Sequence, residues 1–428
     1  MDIEFMHPAE QICTLMKRIY DRGLTTLSGG NLSIKDDDGS IWVSPSGIDK
    51  SSLTPEDVVR IKPDGTYEGK HKPTSEYLIH EEIYKVRSDI KAILHAHPPA
   101  MTSMSCLHDV ADTSLYPMAH KMNSDIAVAI YGLPGSYDLA EKVAGVFKNG
   151  SNTAVLENHG VFMSSGRNIF EVYKRFDELE TNAVIEMQSY ILGKPKGLTK
   201  EQLSDYRKLT EAEAVKSNET TLVSAEEKHL RKELSETINR AYRCKLFTAY
   251  SGIASAKIDE HSFLISPLKR DNEYLAPQDL VKVTDGKFEG EAEPDGLWKY
   301  AMEVYKNKSD INGIICATPP YTMMFAVTDE PYKVNFIPES YGVLFDCRTY
   351  TIDELSGNPE KIIDEAQWNH PFAFIKNAGI ALTAASLHSA YDMMEVCENA
   401  AKSIWMAKLT GRNIKWMTAQ QMKEMDEK

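Results

Sequence analysis

The chain has 428 residues, more than one hydrophobic core usually serves, so two domains are expected. Its formal net charge of −15, without clusters of Lys and Arg, excludes a protein that binds nucleic-acid phosphates. Neither a signal peptide nor an apolar run of about 18 residues is present, and the six cysteines form no C-x-x-C motif, which together predict a cytoplasmic, non-membrane protein without disulfides.

Apolar periodicity predicts alternating helices and strands in the first half of the chain. Residues 8–22 carry apolar side chains at helical spacing, and Gly23 follows where a helix is expected to stop. Later apolar runs predict strands at 40–44, 92–97 and 153–156 and a long helix at 169–191. Strands of mixed character between helices indicate an α/β layered domain.

The second half repeats the first. The segment R-S-D-I-K-A-I-L-H-A-H-P-P at 87–99 returns as K-S-D-I-N-G-I-I-C-A-T-P-P at 308–320. Further on, L-E-N-H-G at 156–160 returns as I-K-N-A-G at 375–379, in the same order and at nearly the same separation. We interpret this pattern as a tandem duplication. It predicts a first domain at 1–194, a polar linker at 195–224 and a second domain at 225–428.

Three histidines of the first half form a candidate metal site. His95 and His97 stand two residues apart on a predicted strand, so their imidazoles face the same way about 6.6 Å apart. His159 supplies a third imidazole if the strand before it ends beside the first one. A single histidine is usually structural, but the second half has lost all three together, which indicates one functional unit. The residues that replace them are Cys316, Thr318 and Ala378.

Glu76 lies in P-T-S-E, where a helix is expected to begin, and Leu297 replaces it in the second half. One interpretation is a carboxylate that stabilises the helix N-terminus. The other is a general base, or a displaceable ligand, beside a cation. Because Glu76 disappears together with the histidines, the second interpretation is favoured.

Three turns of small residues are candidates for holding an anion. They are S-G-G-N at 28–31, S-P-S-G at 44–47 and T-S at 74–75. Backbone N–H groups and hydroxyls at such turns can bind phosphate without a lysine. The first two turns have decayed in the second half, to S-G-I-A at 251–254 and S-P-L-K at 266–269.

The set S-G-G-N, S-P-S-G, T-S-E, H-A-H-P and N-H-G, in this order over residues 28–160, resembles the class II aldolase/adducin family. The resemblance implies two tandem α/β/α three-layer domains, each around a mostly antiparallel central sheet. It also implies Zn²⁺, or another divalent metal, on His95, His97 and His159, with Glu76 as the acid/base. The phosphate cradle that it implies consists of Gly30, Asn31, Ser46, Gly47, Thr74 and Ser75. The second domain is then a degenerate copy without metal.

The reaction expected from the resemblance is retro-aldol cleavage of a ketose phosphate to dihydroxyacetone phosphate and an aldehyde, through a zinc-stabilised enediolate. Three alternatives stay open. The first is another lyase of the family, such as a sugar-acid phosphate decarboxylase or dehydratase, the second is an epimerase, and the third is a non-catalytic scaffold of the adducin kind. Fuculose-type aldolases carry a tyrosine where this chain aligns Val128, so the aldehyde is not fixed.

The expected partner is a small phosphorylated sugar, and a further copy of the chain. Members of the family commonly form tetramers. We expect the second domain to replace a subunit, so that two chains form a pseudo-tetramer.

Overall fold

The computed structural model describes residues 5–210, 213–218, 222–364, 366 and 371–427. The chain divides into two compact units. Unit 1 comprises Met1–Asp112 and Lys121–Val184, and unit 2 comprises Thr113–His120 and Ile185–Lys428.

Unit 1 is built around an eight-stranded sheet. Its strands are β1 (Asn31–Lys35), β2 (Ile41–Val43), β3 (Val59–Ile61), β4 (Tyr67–Glu68), β5 (Ala92–Ala96), β6 (Ile126–Ala129), β7 (Thr153–Leu156) and β8 (Gly160–Ser165). The spatial order is β4-β3-β2-β1-β5-β8-β7-β6. All neighbouring strands are antiparallel except β6 and β7. The prediction of a mostly antiparallel sheet is confirmed.

The helices described up to residue 189 are α1 (Pro8–Asp21), α2 (Tyr77–Val86), α3 (Pro99–Leu107), α4 (Pro117–Asn123), α5 (Tyr137–Lys148) and α6 (Ile169–Ser189). The helix predicted at 8–22 is α1, which begins with a capping box between His7 and Glu10 and is followed by Gly23 at a φ of 72°.

Helices cover both faces of the unit 1 sheet. Ile93 points into a core that α2 and α5 share with the strands. Leu94, the next residue of β5, is equally buried and therefore points to the opposite face, where α1 and α3 contact the sheet. The result is the three-layer α/β/α arrangement that the sequence predicts.

Unit 2 repeats this architecture. Its strands, with β9 at the sheet edge, are β9 (Val215–Lys216), β10 (Ile253–Lys257), β11 (Ser262–Ile265), β12 (Val281–Thr284), β13 (Lys287–Glu289), β14 (Gly313–Ala317), β15 (Arg348–Tyr350), β16 (Phe372–Ile375) and β17 (Gly379–Ala384). The order β15-β16-β17-β14-β10-β11-β12-β13 corresponds strand by strand to β6-β7-β8-β5-β1-β2-β3-β4. The structure thus carries the repeat that the sequence indicates.

The remaining helices are α7 (Lys200–Thr210), α8 (Ala225–Arg243), α9 (Trp298–Asn307), α10 (Pro320–Ala326), α11 (Pro338–Leu344), α12 (Ile352–Gly357), α13 (Lys361–Asp364), α14 (Leu387–Leu409) and α15 (Ala419–Asp426). No helix among the described residues has the length and apolarity that crossing a lipid bilayer requires.

The segment predicted as a linker, 195–224, contains α7 and β9. β9 pairs in parallel with β13 and so extends the second sheet by one strand. Residues 211–212 and 219–221 of this segment lie outside the described residues. The domain boundaries 1–194, 195–224 and 225–428 stay a prediction.

Candidate metal and substrate site

The three histidines meet at one end of the unit 1 sheet. His95 is the fourth residue of β5, where it pairs with Asn31 of β1 on one side and Phe162 of β8 on the other. His97 follows two residues later, just past the strand end. The sequence hypothesis placed the strand before His159 beside the first histidine strand. In the structure β8 lies between them, and the tight turn from β7 to β8 carries His159 to the end of β5.

The histidine nitrogens are close enough to share one ion. One ligand nitrogen from each of His95, His97 and His159 lies within 4.8 Å of the other two. The Nδ1 of His95 donates to the Val161 carbonyl at 3.0 Å, which orients the ring and leaves Nε2 as the nitrogen that could bind a cation. Burial, and then the neighbouring His95 and His159, lower the pKa of His97 to about 4, so this imidazole is neutral near pH 7.

Unsatisfied polar atoms around the histidines fit a divalent cation. Among the described residues, the Nε2 atoms of His95 and His97 and the Oε1 atom of Glu76 are buried without a hydrogen-bond partner. Such atoms are costly unless a ligand satisfies them. Three imidazole nitrogens with an open position are the donor set of many catalytic zinc sites. The residues present therefore fit a metal of this kind.

Glu76 lies directly against the histidine cluster. Its Oε2 is 3.1 Å from His95 Nε2, and its Oε1 is 3.2 Å from His159 Nε2. Burial alone would raise the pKa of the carboxyl, but His95 and His159 outweigh burial and hold that pKa well below its usual range. Glu76 occupies the N-cap position of α2, yet its side chain makes no capping hydrogen bond. The carboxylate therefore contacts the histidines instead of capping the helix through a hydrogen bond.

A series of buried hydrogen bonds that was not predicted from the sequence begins at Tyr84 and ends at Glu76. Asn31 Nδ2 donates to Glu76 Oε2 at 2.9 Å, and Asn31 Oδ1 contacts His80 Nε2. The other ring nitrogen of His80 contacts Ser33 Oγ at 2.7 Å, and Ser33 Oγ contacts Tyr84 OH at 2.8 Å. Burial and the nearby His95 lower the pKa of His80 to about 3, so the imidazole is neutral. A sequence signal existed, because residues 76, 80 and 84 recur every four positions along one helix face.

Backbone hydrogen bonds bring the three small-residue turns together. Thr74 N–H donates to the Ser44 carbonyl at 3.2 Å, which joins the second and third turns. Lys50 N–H donates to the Leu27 carbonyl at 2.8 Å, which joins the segments that flank the first and second turns. Gly30 adopts a φ of 70°, and an added Cβ there would lie 2.8 Å from the His95 carbonyl oxygen. Only glycine at this position therefore lets the S-G-G-N turn lie so close to β5, the strand that carries His95.

The predicted cradle residues differ in what they leave free for a ligand. Ser46, Gly47 and Ser75 are exposed, but the Ser46 N–H donates to the Lys72 carbonyl at 3.1 Å and is not available to an anion. Both the nitrogen and the oxygen of the Asn31 side-chain amide are already in contact with other residues, Glu76 and His80. The roles of these residues stay a prediction.

Lys50 is a buried cation between two of these turns. It is 1% exposed, and its Nζ donates to the Pro45 carbonyl of the S-P-S-G turn. No acidic side chain of the described part of the chain lowers the cost of burying it, and burial lowers its pKa from 10.5 to about 8. The corresponding residue of unit 2 is the neutral Asn272, whose Nδ2 donates to the Thr248 and Ser251 carbonyls. At this position, unit 1, which has the histidine cluster, carries a buried positive charge and unit 2 does not.

A pH-dependent stability is expected from Lys50. The folded protein releases this proton near pH 8 and the unfolded chain near 10.5, so the cost of the buried charge is full below pH 8 and fades toward pH 10.5. Lys50→Met removes that cost. The stability of Lys50→Met relative to wild type should therefore fall by about 2 to 3 kcal/mol between pH 7 and pH 10. Urea unfolding of both proteins at the two pH values measures it, and a pH-independent difference would contradict the buried charge.

Gly160 is predicted to be essential for the position of His97. A Cβ at Gly160 would lie 2.6 Å from His97 Cδ2 and 2.7 Å from the Ala96 carbonyl oxygen. Gly160→Ala should push the imidazole aside and weaken metal affinity by about tenfold or more. Titration of the metal-free protein with Zn²⁺ against a chelating dye checks this. Gly145→Ala, on α5 with open space around its Cβ, is the matched control and should bind as wild type does.

Comparison with known proteins places both halves in one family. The sequence model of the class II aldolase and adducin N-terminal domain matches residues 10–187 and, separately, residues 232–405. A 5-methylthioribulose-1-phosphate/5-deoxyribulose-1-phosphate aldolase of Rhodospirillum rubrum is 31% identical over 172 residues, which are 40% of this chain and 73% of the relative.

Two further relatives match a similar share of the chain. An L-fuculose phosphate aldolase of Methanocaldococcus jannaschii is 31% identical over 185 residues, 43% of this chain and 98% of the relative. A 3-oxo-tetronate 4-phosphate decarboxylase of Haemophilus influenzae is 30% identical over 178 residues, 41% of this chain and 84% of the relative. Because the family model covers most of the chain in two consecutive regions, the chain belongs to the class II aldolase and adducin N-terminal domain family as a tandem duplication.

Proposed function

We propose that unit 1 is a metal-dependent lyase that cleaves a ketose phosphate to dihydroxyacetone phosphate and an aldehyde. The observation that carries the proposal is the convergence of three imidazoles on one point with the Glu76 carboxylate against them. This arrangement combines a cation site with a general base. Two of the relatives are named aldolases of ketose phosphates, which supports the same reaction class.

The residues proposed to hold the metal are His95, His97 and His159, and the proposed metal is Zn²⁺, because imidazole nitrogens with an open position suit it. When bound, the cation supplies Lewis-acid charge that offsets negative charge on the carbonyl and hydroxyl oxygens of the substrate. The hydrogen bond from His95 Nδ1 to the Val161 carbonyl fixes one imidazole so that its Nε2 would be available to the cation.

Glu76 is proposed to move the proton. In the condensation direction its carboxylate takes a proton from the hydroxymethyl carbon of dihydroxyacetone phosphate. In the cleavage direction the carbon–carbon bond breaks, and the hydroxyl of the carbon that becomes the aldehyde loses its proton to solvent. Glu76, after taking up a proton from solvent, passes it to the carbon left behind. The hydrogen bond from Asn31 holds Oε2, and Oε1, which is buried without a hydrogen bond among the described residues, lies 3.2 Å from His159 Nε2.

The phosphate is proposed to bind at the three linked turns. The exposed residues Ser46, Gly47 and Ser75 lie on two of them. Lys50 adds a positive charge beneath the S-P-S-G turn without an acidic partner in the described structure. A dianion bound there would offset the cost of that buried charge.

Unit 2 is proposed to be non-catalytic. Cys316 stands in the position of His95, and burial raises the pKa of its thiol to about 12, so the free thiol is protonated at neutral pH. Leu297 stands at the N-cap of α9 as Glu76 does at that of α2. We propose that this unit replaces a subunit, so that two chains form a pseudo-tetramer. A monomer in sedimentation equilibrium would rule that assembly out.

A panel of substrates tests the proposed reaction. The metal-loaded protein is incubated with ketose 1-phosphates and with sugar-acid phosphates, and both dihydroxyacetone phosphate and carbon dioxide are measured. Release of dihydroxyacetone phosphate from a ketose 1-phosphate, lost after chelation, supports the proposal. Release of carbon dioxide alone would assign the site to the decarboxylase branch that the Haemophilus influenzae relative represents.

A further inference from the structure

The hydrogen bonds behind Glu76 form one directed chain. A carboxylate can only accept, so the amide of Asn31 presents its NH₂ group to Glu76 and its Oδ1 to His80. The Nε2 of His80 must then carry the proton, and its Nδ1 must accept from the Ser33 hydroxyl. Ser33 in turn accepts from Tyr84. Each donor in this line faces an acceptor, and the line ends on the carboxylate.

Burial makes this arrangement rigid. His80 is fully buried, Asn31 is 2% exposed and Ser33 is fully buried, so water does not compete for these groups. His80 also packs edge-on against Phe162, with ring centroids 5.4 Å apart. A fully satisfied buried network of this kind fixes the orientation of its members.

Unit 2 keeps one end of the chain and has lost the other. Tyr305 donates to Ser255 at 3.2 Å, as Tyr84 does to Ser33. The hydroxyl of Ser255 then donates to the Leu264 carbonyl, within the sheet. The rest of the series is absent from unit 2. Apolar residues stand there at the three positions where unit 1 has the amide, the imidazole and the carboxylate. Asn31, His80 and Glu76 correspond to Ile253, Ala301 and Leu297.

The comparison within one chain separates two roles. The tyrosine–serine pair is present in both units and belongs to the fold. The histidine and the asparagine are present only in the unit that has Glu76 and the three metal-site histidines. The position of His80 also accepts a small residue without loss of the fold, since Ala301 is 2% exposed in a packed helix of unit 2.

We propose that His80 is a positioning residue of the lyase: as a neutral imidazole it donates to Asn31, and Asn31 holds the Glu76 carboxylate toward the substrate. This inference rests on the proposed function. It assigns His80 no contact with the metal or with the substrate. Its loss should therefore slow proton transfer at an unchanged metal content.

Two variants of His80 test the proposal. His80→Ala should lower kcat by about 10- to 100-fold, with KM and bound metal per chain unchanged. His80→Gln keeps a side-chain donor for Asn31 and should recover most of kcat. Tyr305→Phe is the control for a buried hydrogen bond of the same fold position in unit 2, and it should leave kcat unchanged.

A readout that does not depend on turnover accompanies the kinetics. Thermal melts of the metal-free His80→Ala, Asn31→Leu and double variants should show a non-additive change, because the two side chains interact. Additive changes in melting temperature, a wild-type kcat in His80→Ala, or loss of metal equal to the loss of kcat would each overturn the positioning role. A wild-type protein that neither cleaves ketose phosphates nor exchanges dihydroxyacetone phosphate hydrogens would reject the proposed function instead, and the melts would still report on the His80–Asn31 pair.

Discussion

Glu76→Gln is expected to lower kcat by about 10²- to 10⁴-fold while the protein keeps its fold and its metal. Glutamine has nearly the shape of glutamate and can still receive the Asn31 hydrogen bond on its amide oxygen. It cannot take up a proton. The loss therefore falls on the chemical step, and steady-state kinetics together with metal analysis of the purified protein measure it.

Glu157→Gln is the matched control for that variant. Glu157 lies in the same β7–β8 turn as His159 but contacts the Tyr131 N–H and His108 instead of the three metal-site histidines. It should keep kcat near the wild-type value. A Glu76→Gln protein that turns over within about threefold of wild type would show that another group moves the proton.

His97→Ala is expected to remove both metal and activity. Two imidazoles remain after this change, and a two-ligand site binds Zn²⁺ far more weakly than a three-ligand site. The wild-type chain should hold about one metal ion, since unit 2 lacks the ligands, and the variant should hold less than about a tenth of that after dialysis. Elemental analysis by mass spectrometry reads both numbers.

His108→Ala controls for the removal of a histidine near the site. His108 is half exposed and its Nε2 contacts the Asn158 side chain in the β7–β8 turn, outside the three-histidine cluster. It should retain the full metal content. Two ions per chain in the wild type, or retention of the ion by His97→Ala, would contradict the assignment of the ligands.

The sequence predicted the site best where the residue type and its spacing indicated one kind of chemistry. The pair His95 and His97 on a short apolar strand, and their joint replacement by Cys316 and Thr318, are enough to indicate a site from residue types and spacing. The repeat indicated the second sheet, because a duplicated sequence must bury equivalent faces. The mostly antiparallel order came from the family resemblance, since strand periodicity alone does not determine the pairing.

Features that the sequence did not reveal depend on contacts between distant segments. The backbone hydrogen bonds of Ser46 are set by its pairing with Lys72, so its occupied N–H is invisible in the S-P-S-G motif. From the sequence Lys50 would be placed at the surface, because lysines are seldom buried. The structure shows instead that it is buried, with its Nζ donating to the Pro45 carbonyl. His80 was not predicted as a site residue, although its spacing from Glu76 places both on one face of α2.

Exchange of hydrogens between dihydroxyacetone phosphate and solvent tests most directly whether the first half holds a proton-transferring metal site. It requires neither the aldehyde nor the identity of the sugar. Metal-loaded protein in deuterium oxide should replace one of the two hydrogens on the hydroxymethyl carbon, seen by proton NMR, and Glu76→Gln and the chelated protein should not. If dihydroxyacetone phosphate keeps both hydrogens while the protein carries its metal, the proposed role of Glu76 and the histidine cluster is contradicted.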